Sequence, residues 1–433
     1  MVVELINTGS ELMLGRMLNT HQQWLCRRLT DLGHSVIRQI AVADTAAGIQ
    51  QAVREALGRA DLVITTGGLG PTSDDLTREL IAELLGRKLV EDESIRMHID
   101  DRFARRGWPR PEATNVENFV PEGALVFLNA FGTAPGLALK VEDGEWKMED
   151  GKEASRQSSI LHPPSSRWLI ILPGPPRELR PMFDEHVVPL LKREFVGETF
   201  VCRTLRTTGI GESRVQERVE ADLQPLVARG LNVGYCARPG AVDVRLAATG
   251  AAAAQLVQEG ETVVQRNVAG NIYGFDDEEI EQAVVKSFID RKKTLALAES
   301  CTGGNIAHRI TNVPGASEIF LGGVVSYANE AKSALLGVRP ESLATHGAVS
   351  EVVAREMALG ARANFGADFA LAVTGIAGPG GGTPEKPVGT VFIALASASG
   401  AEVKRFLNIW ERETFKQVTA TQALNWLRQA VSA

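Results

Sequence analysis

Apolar runs of strand length and amphipathic runs of helix length alternate without a break over residues 2–85, and no other feature constrains the fold as much. Strand 2–7 is followed by a helix near 19–32 that Gly33 stops, then by strand 35–42, helix 46–57, strand 62–66 and helix 73–85. Strands joined through helices pair in parallel, because the crossover is too long for a hairpin and lays its helix on a sheet face. The expected class is α/β with a doubly wound sheet. Right-handed crossovers gather the carboxyl ends of such strands at one edge, where ligands bind. The loops after Asn7 and Thr66 face one another there if the first and third strands are neighbours.

The pattern then changes twice. Strands 136–141 and 168–172 are interrupted by 143–166, a segment rich in Ser, Glu, Lys and Pro that reads as a mobile insertion without chemistry. A smaller α+β pattern occupies 199–275, with strand 199–206, a helix beginning near Glu212, strand 242–248 and an Ala-rich helix after Gly250; residues 274–277 read as a hinge. The α/β alternation resumes with helix 278–291, strand 294–298, a helix from Gly304, strand 323–327 and helix 329–336. Helix 350–364, strands 369–374, 389–395 and 403–409, and a long helix from Glu413 complete it. A chain of 433 residues exceeds one ordinary core. Three domains are expected, 1–198, 199–275 and 276–433.

A net charge of -7 argues against a constitutive DNA or RNA surface, whose affinity rests on clustered Lys and Arg. The nearest basic run, Arg102, Arg105, Arg106 and Arg110, reads as a solvated helix face. Cys26, Cys202, Cys236 and Cys301 form no C-x-x-C pair, so neither a disulfide framework nor a zinc site is indicated. No apolar run approaches the ~20 residues needed to span a bilayer, and the first strand begins at once. No membrane association and a cytoplasmic location are expected.

The segment from Thr65 to Thr77, Thr-Thr-Gly-Gly-Leu-Gly-Pro-Thr-Ser-Asp-Asp-Leu-Thr, joins a buried strand to a helix. Gly67, Gly68 and Gly70 permit close backbone approach, and with Thr72 at a helix start they read as a phosphate cradle. In the structural reading of the same residues, Thr72 or Ser73 caps the helix and Asp74 and Asp75 complement its dipole. Acids beside a phosphate also suit a bridging divalent cation. The pattern G-G-x-G-P-T-x-x-D-x-T resembles the molybdopterin-binding family that includes MoaB and MogA. Residues 8–15, Thr-Gly-Ser-Glu-Leu-Met-Leu-Gly, with Asn19, 129–136, Asn-Ala-Phe-Gly-Thr-Ala-Pro-Gly, and 173–178, Pro-Gly-Pro-Pro-Arg-Glu, narrow the resemblance to CinA. It implies a MoaB-like nucleotide- or pterin-binding domain with metal-dependent ADP-ribose pyrophosphatase activity. Asp75 would then be catalytic and a ligand, with Glu11 and Glu178, of a magnesium- or cobalt-type cation, and Ser10 and Asn19 would join the glycines and Thr72 in binding.

Farther along, small and hydroxylic residues follow strands in 298–304, Ala-Glu-Ser-Cys-Thr-Gly-Gly, and 373–382, Val-Thr-Gly-Ile-Ala-Gly-Pro-Gly-Gly-Gly, with a turn Pro-Gly-Ala-Ser at 314–317. Together they suggest a phosphorylated ligand. By position alone Lys332 reads as a solvated surface lysine. Cys301 sits on a helix-starting loop where a thiolate is a reasonable nucleophile, although no histidine adjoins it and His308 lies about two turns on.

The set Ala-Glu-Ser-Cys-Thr-Gly-Gly, Gly-Gly-Val-Val-x-Tyr-x-Asn-x-x-Lys, His-Gly-Ala-Val-Ser and Thr-Gly-Ile-Ala-Gly-Pro-Gly-Gly-Gly closely resembles the PncC-type deamidase domain. The resemblance implies hydrolysis of the carboxamide of nicotinamide mononucleotide. Ser317 is then the nucleophile, Lys332 its base, and Ser300, Tyr327 and Thr374 shape the amide site. Gly303, Gly304, Gly375 and Gly378 would hold substrate, and Arg412 its phosphate. Gly-Ala-Ser stands where the family has Gly-Ser-Ser, and Trp-Glu-Arg where it has Gly-Asp-Arg. The chemistry stands on its own terms, since amide hydrolysis needs a nucleophile, a base and oxyanion donors, but no metal. Small nucleotides, nicotinamide mononucleotide and ADP-ribose, are the expected partners, with a homodimer implied by the resemblance. The rival is a regulatory protein that senses nucleotides and reports to competence or damage-response partners.

Overall fold

In the computed structural model, which describes residues 1–142 and 166–432, β1 (Val2–Thr8) pairs in parallel with β2 (Ser35–Val42) and β3 (Leu62–Thr66). Helices α1 (His21–Asp31) and α2 (Ala46–Leu57) make the crossovers, and the Thr45 side chain caps α2 by accepting the Gly48 N–H. After α3 (Thr77–Leu84) and α4 (Glu93–Arg105), β4 (Leu125–Phe127) pairs antiparallel with β5 (Gly136–Glu142). β5 pairs antiparallel with β6 (Ser166–Leu172), and β6 lies parallel to β3. The sheet order is β2-β1-β3-β6-β5-β4.

The near-continuous apolar sequence of the central strands follows from burial on both faces. Ile6, Val63 and Ile171 enter one core cluster, while Leu5, Ile64 and Ile170 enter the cluster on the other side. Two expectations need correction. The helix expected at 73–85 begins at Thr77, because the Asp75 carboxylate accepts the Thr72 N–H and hydroxyl and holds the preceding residues in a local turn. Ser166, expected in the insertion, pairs with Glu142 in β6, and 143–165 lies outside the described residues.

Met1–Phe200 forms one compact unit and Val201–Ala433 a second. In the second, β7 (Phe200–Thr208), α5 (Glu212–Val227), β8 (Asn232–Arg238), β9 (Ala241–Thr249), α6 (Ala253–Val268) and β10 (Ile272–Phe275) build a sheet of order β8-β9-β7-β10. Val219 of α5 and Val257 of α6 share a core with Leu205 and Val244. Residues 274–277, expected as a hinge, are tied to the small sheet. Gly274 and Phe275 pair with β7, and Asp276 accepts the Thr204 N–H and an Arg203 N–H.

α7 (Ile280–Asp290) leads into β11 (Leu295–Glu299), α8 (Asn305–Thr311), β12 (Phe320–Val325), α9 (Asn329–Leu336), α10 (Pro340–His346) and α11 (Glu351–Phe365). β13 (Phe369–Gly375), β14 (Thr390–Ser397), β15 (Gly400–Leu407) and α12 (Arg412–Ser432) follow. The sheet order is β12-β11-β13-β14-β15, with the first three strands parallel and the last two antiparallel. Val284 of α7 and Leu424 of α12 cover one face with Leu297 and Leu371, while Met357 of α11 covers the other with Ala296 and Ala370. Among the described residues no helix is long and apolar enough to cross a membrane.

Candidate functional site

This topology brings the ends of β11, β12 and β13 and the start of antiparallel β14 to one edge of the sheet, around a cavity of about 280 Å³. Lys332, on the first turn of α9, is only 2% exposed, and its Nζ donates to the carbonyls of Ser326 (2.9 Å) and Tyr327 (3.2 Å). Burial lowers its pKa, since a desolvated ammonium is disfavoured. A neutral amine that gives two hydrogens to two carbonyls keeps its lone pair free to take a proton. The Thr374 hydroxyl donates to the Ala348 carbonyl (2.8 Å). Arg412 donates to the Gly378 carbonyl (2.9 Å) and the Tyr327 hydroxyl (2.7 Å). Ser300, Gly375 and Gly378 line the same cavity. Asn329, Ala348 and Val349 line it too without having been singled out, although all three lie inside motifs visible in the sequence.

Other expected groups are elsewhere. Ser317 is exposed in a single turn before β12, whereas Lys332 follows that strand's far end, roughly 20 Å of strand away. One chain therefore does not bring the pair together. Gly303 and Gly304 take positive φ but do not line the cavity. The buried Glu299 carboxylate accepts the N–H groups of Gly304 (3.0 Å), Ile306 (3.2 Å) and Ala307 (2.8 Å), so a side chain already fills the anion position at the start of α8. Cys301 lines the cavity, but burial pushes its thiol to about 12, which removes the thiolate at neutral pH.

In the first unit the carboxyl ends of β1, β3 and β6 meet around a larger cavity of about 630 Å³. Gly67, Gly68, Gly70, Asp75, Glu11 and Glu178 line it. The glycines answer to the protein's own packing. A Cβ on Gly68 would lie 2.0 Å from Thr77 Oγ1, and one on Gly70 2.5 Å from Asp75 Oδ2. Thr72 is tied to Asp74 and Asp75, Ser10 is stitched to Asp44, and Asn19 caps α1 by accepting the His21 and Gln22 N–H groups. None of these three lines the cavity.

The basic run is a solvated face only in part: Arg105 and Arg106 are exposed, Arg105 paired with Asp101 on the helix surface, while Arg102 and Arg110 are turned inward. Arg102 donates to the carbonyls of Ala130 and Phe131, and with Arg106 and Arg177 it lines the cavity. Arg110 is bonded inward to Thr114, Asn118 and Asp100. Asp75, Glu11 and Glu178 do not converge as cation ligands, and among the described residues no three acidic, His or Cys side chains do so. Asp75 is turned to Thr72, and Glu178 accepts from Asn129 (2.8 Å). Glu117, which carries no sequence signal, also lines this cavity.

Residues 277–431 match the CinA C-terminal domain, 4–193 the probable molybdopterin binding domain and 202–274 the damage-inducible protein CinA KH domain. A putative competence-damage inducible protein of Caldicellulosiruptor bescii is 41% identical over 434 residues, spanning 100% of this chain and 99% of the relative. A CinA-like protein of Akkermansia muciniphila is 42% identical over 429 residues, spanning 99% and 97%. The crystal structure of a CinA superfamily protein from Klebsiella pneumoniae is 35% identical, covers 35% of this chain and 96% of that chain, and has a TM-score of 0.35.

Proposed function

The chain belongs to the CinA family, and from that premise we propose that its C-terminal cavity hydrolyses nicotinamide mononucleotide to nicotinate mononucleotide and ammonia. The observation that carries this reading is Lys332, a buried amine with lowered pKa that faces a cavity shared with hydroxyl groups and Arg412. In the proposed reaction Lys332 takes the serine proton as the serine oxygen attacks the amide carbon. The C–N bond then breaks, nitrogen leaves as ammonia with that proton, and water releases the acyl group from serine. Ser300 and Thr374 orient the amide. Arg412 retains N–H donors for the phosphate beyond the two it spends on Gly378 and Tyr327.

Ser317 meets Lys332 in a homodimer. β12 is an edge strand with Leu321, Val325 and Tyr327 exposed at or just beyond it. Antiparallel pairing of β12 with a second copy sets the Ser317 end of one chain against the Tyr327 end of the other, because a two-fold axis reverses the strand. Ammonia release by mixed variants tests this. Ser317→Ala and Lys332→Ala should each lose at least about a thousandfold alone, and co-refolded together they should regain activity through one intact site per hybrid dimer. Full activity of Ser317→Ala with loss in Ser300→Ala would instead make Ser300 the nucleophile. A wild-type protein that binds the nucleotide without releasing ammonia would be a sensor.

For the first unit we propose binding and cleavage of ADP-ribose, favoured by the cavity's size and by Arg102, Arg106 and Arg177, which suit two linked phosphates. The carboxylates there do not make a resident cation site. A divalent cation would enter with the phosphates, as magnesium does where protein offers only one or two carboxylates.

A further inference from the structure

Glu117 is 0% exposed, at the end of a short helical turn (Glu112–Asn118), yet it lines the cavity of the first unit. Its Oε1 accepts the Thr133 hydroxyl (3.0 Å), while Oε2 is buried with no hydrogen-bond partner. A buried carboxyl oxygen left unsatisfied costs stability, and its retention at a cavity wall marks a group kept for something that enters the cavity. Arg102, Arg106 and Arg177 line the same cavity and can pair with phosphates, while Glu11, Asp44, Asp74, Asp75 and Glu178 also line it, so a polyphosphate would bring a divalent cation with it.

We propose that Glu117 is a catalytic residue of the first unit, the proton acceptor for water attacking a phosphoanhydride held by these arginines. This rests on reading the cavity as a pyrophosphatase site. As the water oxygen bonds to phosphorus, its proton passes to Glu117 Oε2. The bridging P–O bond breaks, and its electron pair stays on the oxygen of the leaving phosphate, which Arg102, Arg106 and Arg177 stabilise. Burial lifts the Glu117 carboxyl to about 7, opposed by the Thr133 hydrogen bond and by Arg78 and Arg110 and reinforced by Asp75. A base with that value accepts protons near neutral pH. Since the acceptor must be ionised, kcat/KM should rise with pH through about 7 and level above it.

The test is ADP-ribose cleavage followed by AMP release, with and without magnesium, in the full-length protein. Glu117→Gln, which is nearly isosteric, should lower kcat about a hundredfold or more, leave KM within about threefold and abolish the rise through pH 7. Glu117→Asp should regain part of the rate. Removing a buried carboxylate should leave the unfolding midpoint at pH 8 no lower than in wild type. Turnover by wild type with an undiminished Glu117→Gln would overturn the role of Glu117 while leaving the pyrophosphatase reading intact. No turnover by wild type under any of these conditions would remove both.

Discussion

At the scale of single residues, burial decides what each tempting group can do. Cys301 and Lys332 line one cavity, but desolvation acts on them in opposite chemical senses, keeping the thiol protonated and making the amine easier to deprotonate. A thiol that burial pushes up to about 12 stays protonated at neutral pH. Cys301→Ala should therefore retain more than about a tenth of the ammonia release. Brief alkylation at pH 7 should label the exposed Cys202 and Cys236 before Cys301, as peptide mass spectrometry will show. An acyl group trapped on Cys301 during turnover would contradict this assignment. Lys332, Thr374, Tyr327 and Arg412 were legible through the motifs that carry the family resemblance and not through their position, which by itself makes Lys332 a solvated surface lysine; the structure places all four at one cavity. Glu117 was not legible, since what distinguishes it is the missing partner of one oxygen, a property no spacing records.

At the scale of elements, both glycine-rich loops show why a helix start is ambiguous in sequence. An unsatisfied N–H row invites an anion, and a nearby carboxylate of the same chain satisfies it as well as a phosphate does. After β11 the carboxylate is Glu299, which holds three N–H groups of the α8 start; after β3 Asp75 acts differently, holding the Thr72 N–H in the turn that delays the start of α3 to Thr77. The strands and crossovers around these loops were legible because their apolar periods are set by burial. The loop interiors were not, because hydrogen-bond capture by an acid does not alter the periodicity. Glu299→Ala leaves those buried donors without an acceptor and should destabilise the second unit by about 2–4 kcal/mol. Glu299→Gln, which keeps one accepting oxygen, should lose less. Urea unfolding of the full chain reads both, and an Ala variant as stable as wild type would show that water replaces the carboxylate at no cost.

At the scale of the whole molecule, the α/β class and the order of strands and helices followed from the alternation of buried segments. The small sheet of the second unit was only half visible. β8 contains Gly234 and is mostly part-exposed, and β10 is four residues long with a register shift, so neither shows a clean alternation. The chain between β5 and β6 is longer than the ladder it joins requires. Glu142 and Ser166 are directly paired across the antiparallel β5–β6 ladder, and residues opposed in such a ladder stand only about 5 Å apart at their Cα atoms. A two- to four-residue turn closes that distance. The pairing runs inward from there through Val141 with Arg167 and Leu139 with Leu169, whose leucines are fully buried, so the register is set by the core and not by the connection. Replacing 143–165 with Asn-Gly flanked by single serines should therefore leave the unfolding midpoint within about 4 °C of wild type, less than roughly 2 kcal/mol of stability at this size. Ammonia release and ADP-ribose cleavage should be unchanged, because the described residues that line the two cavities already supply the groups both reactions use. Scanning calorimetry and the two assays on the shortened chain are the measurements. Insoluble protein, or a midpoint lower by 10 °C or more, would show that the segment contributes to the core of the first unit.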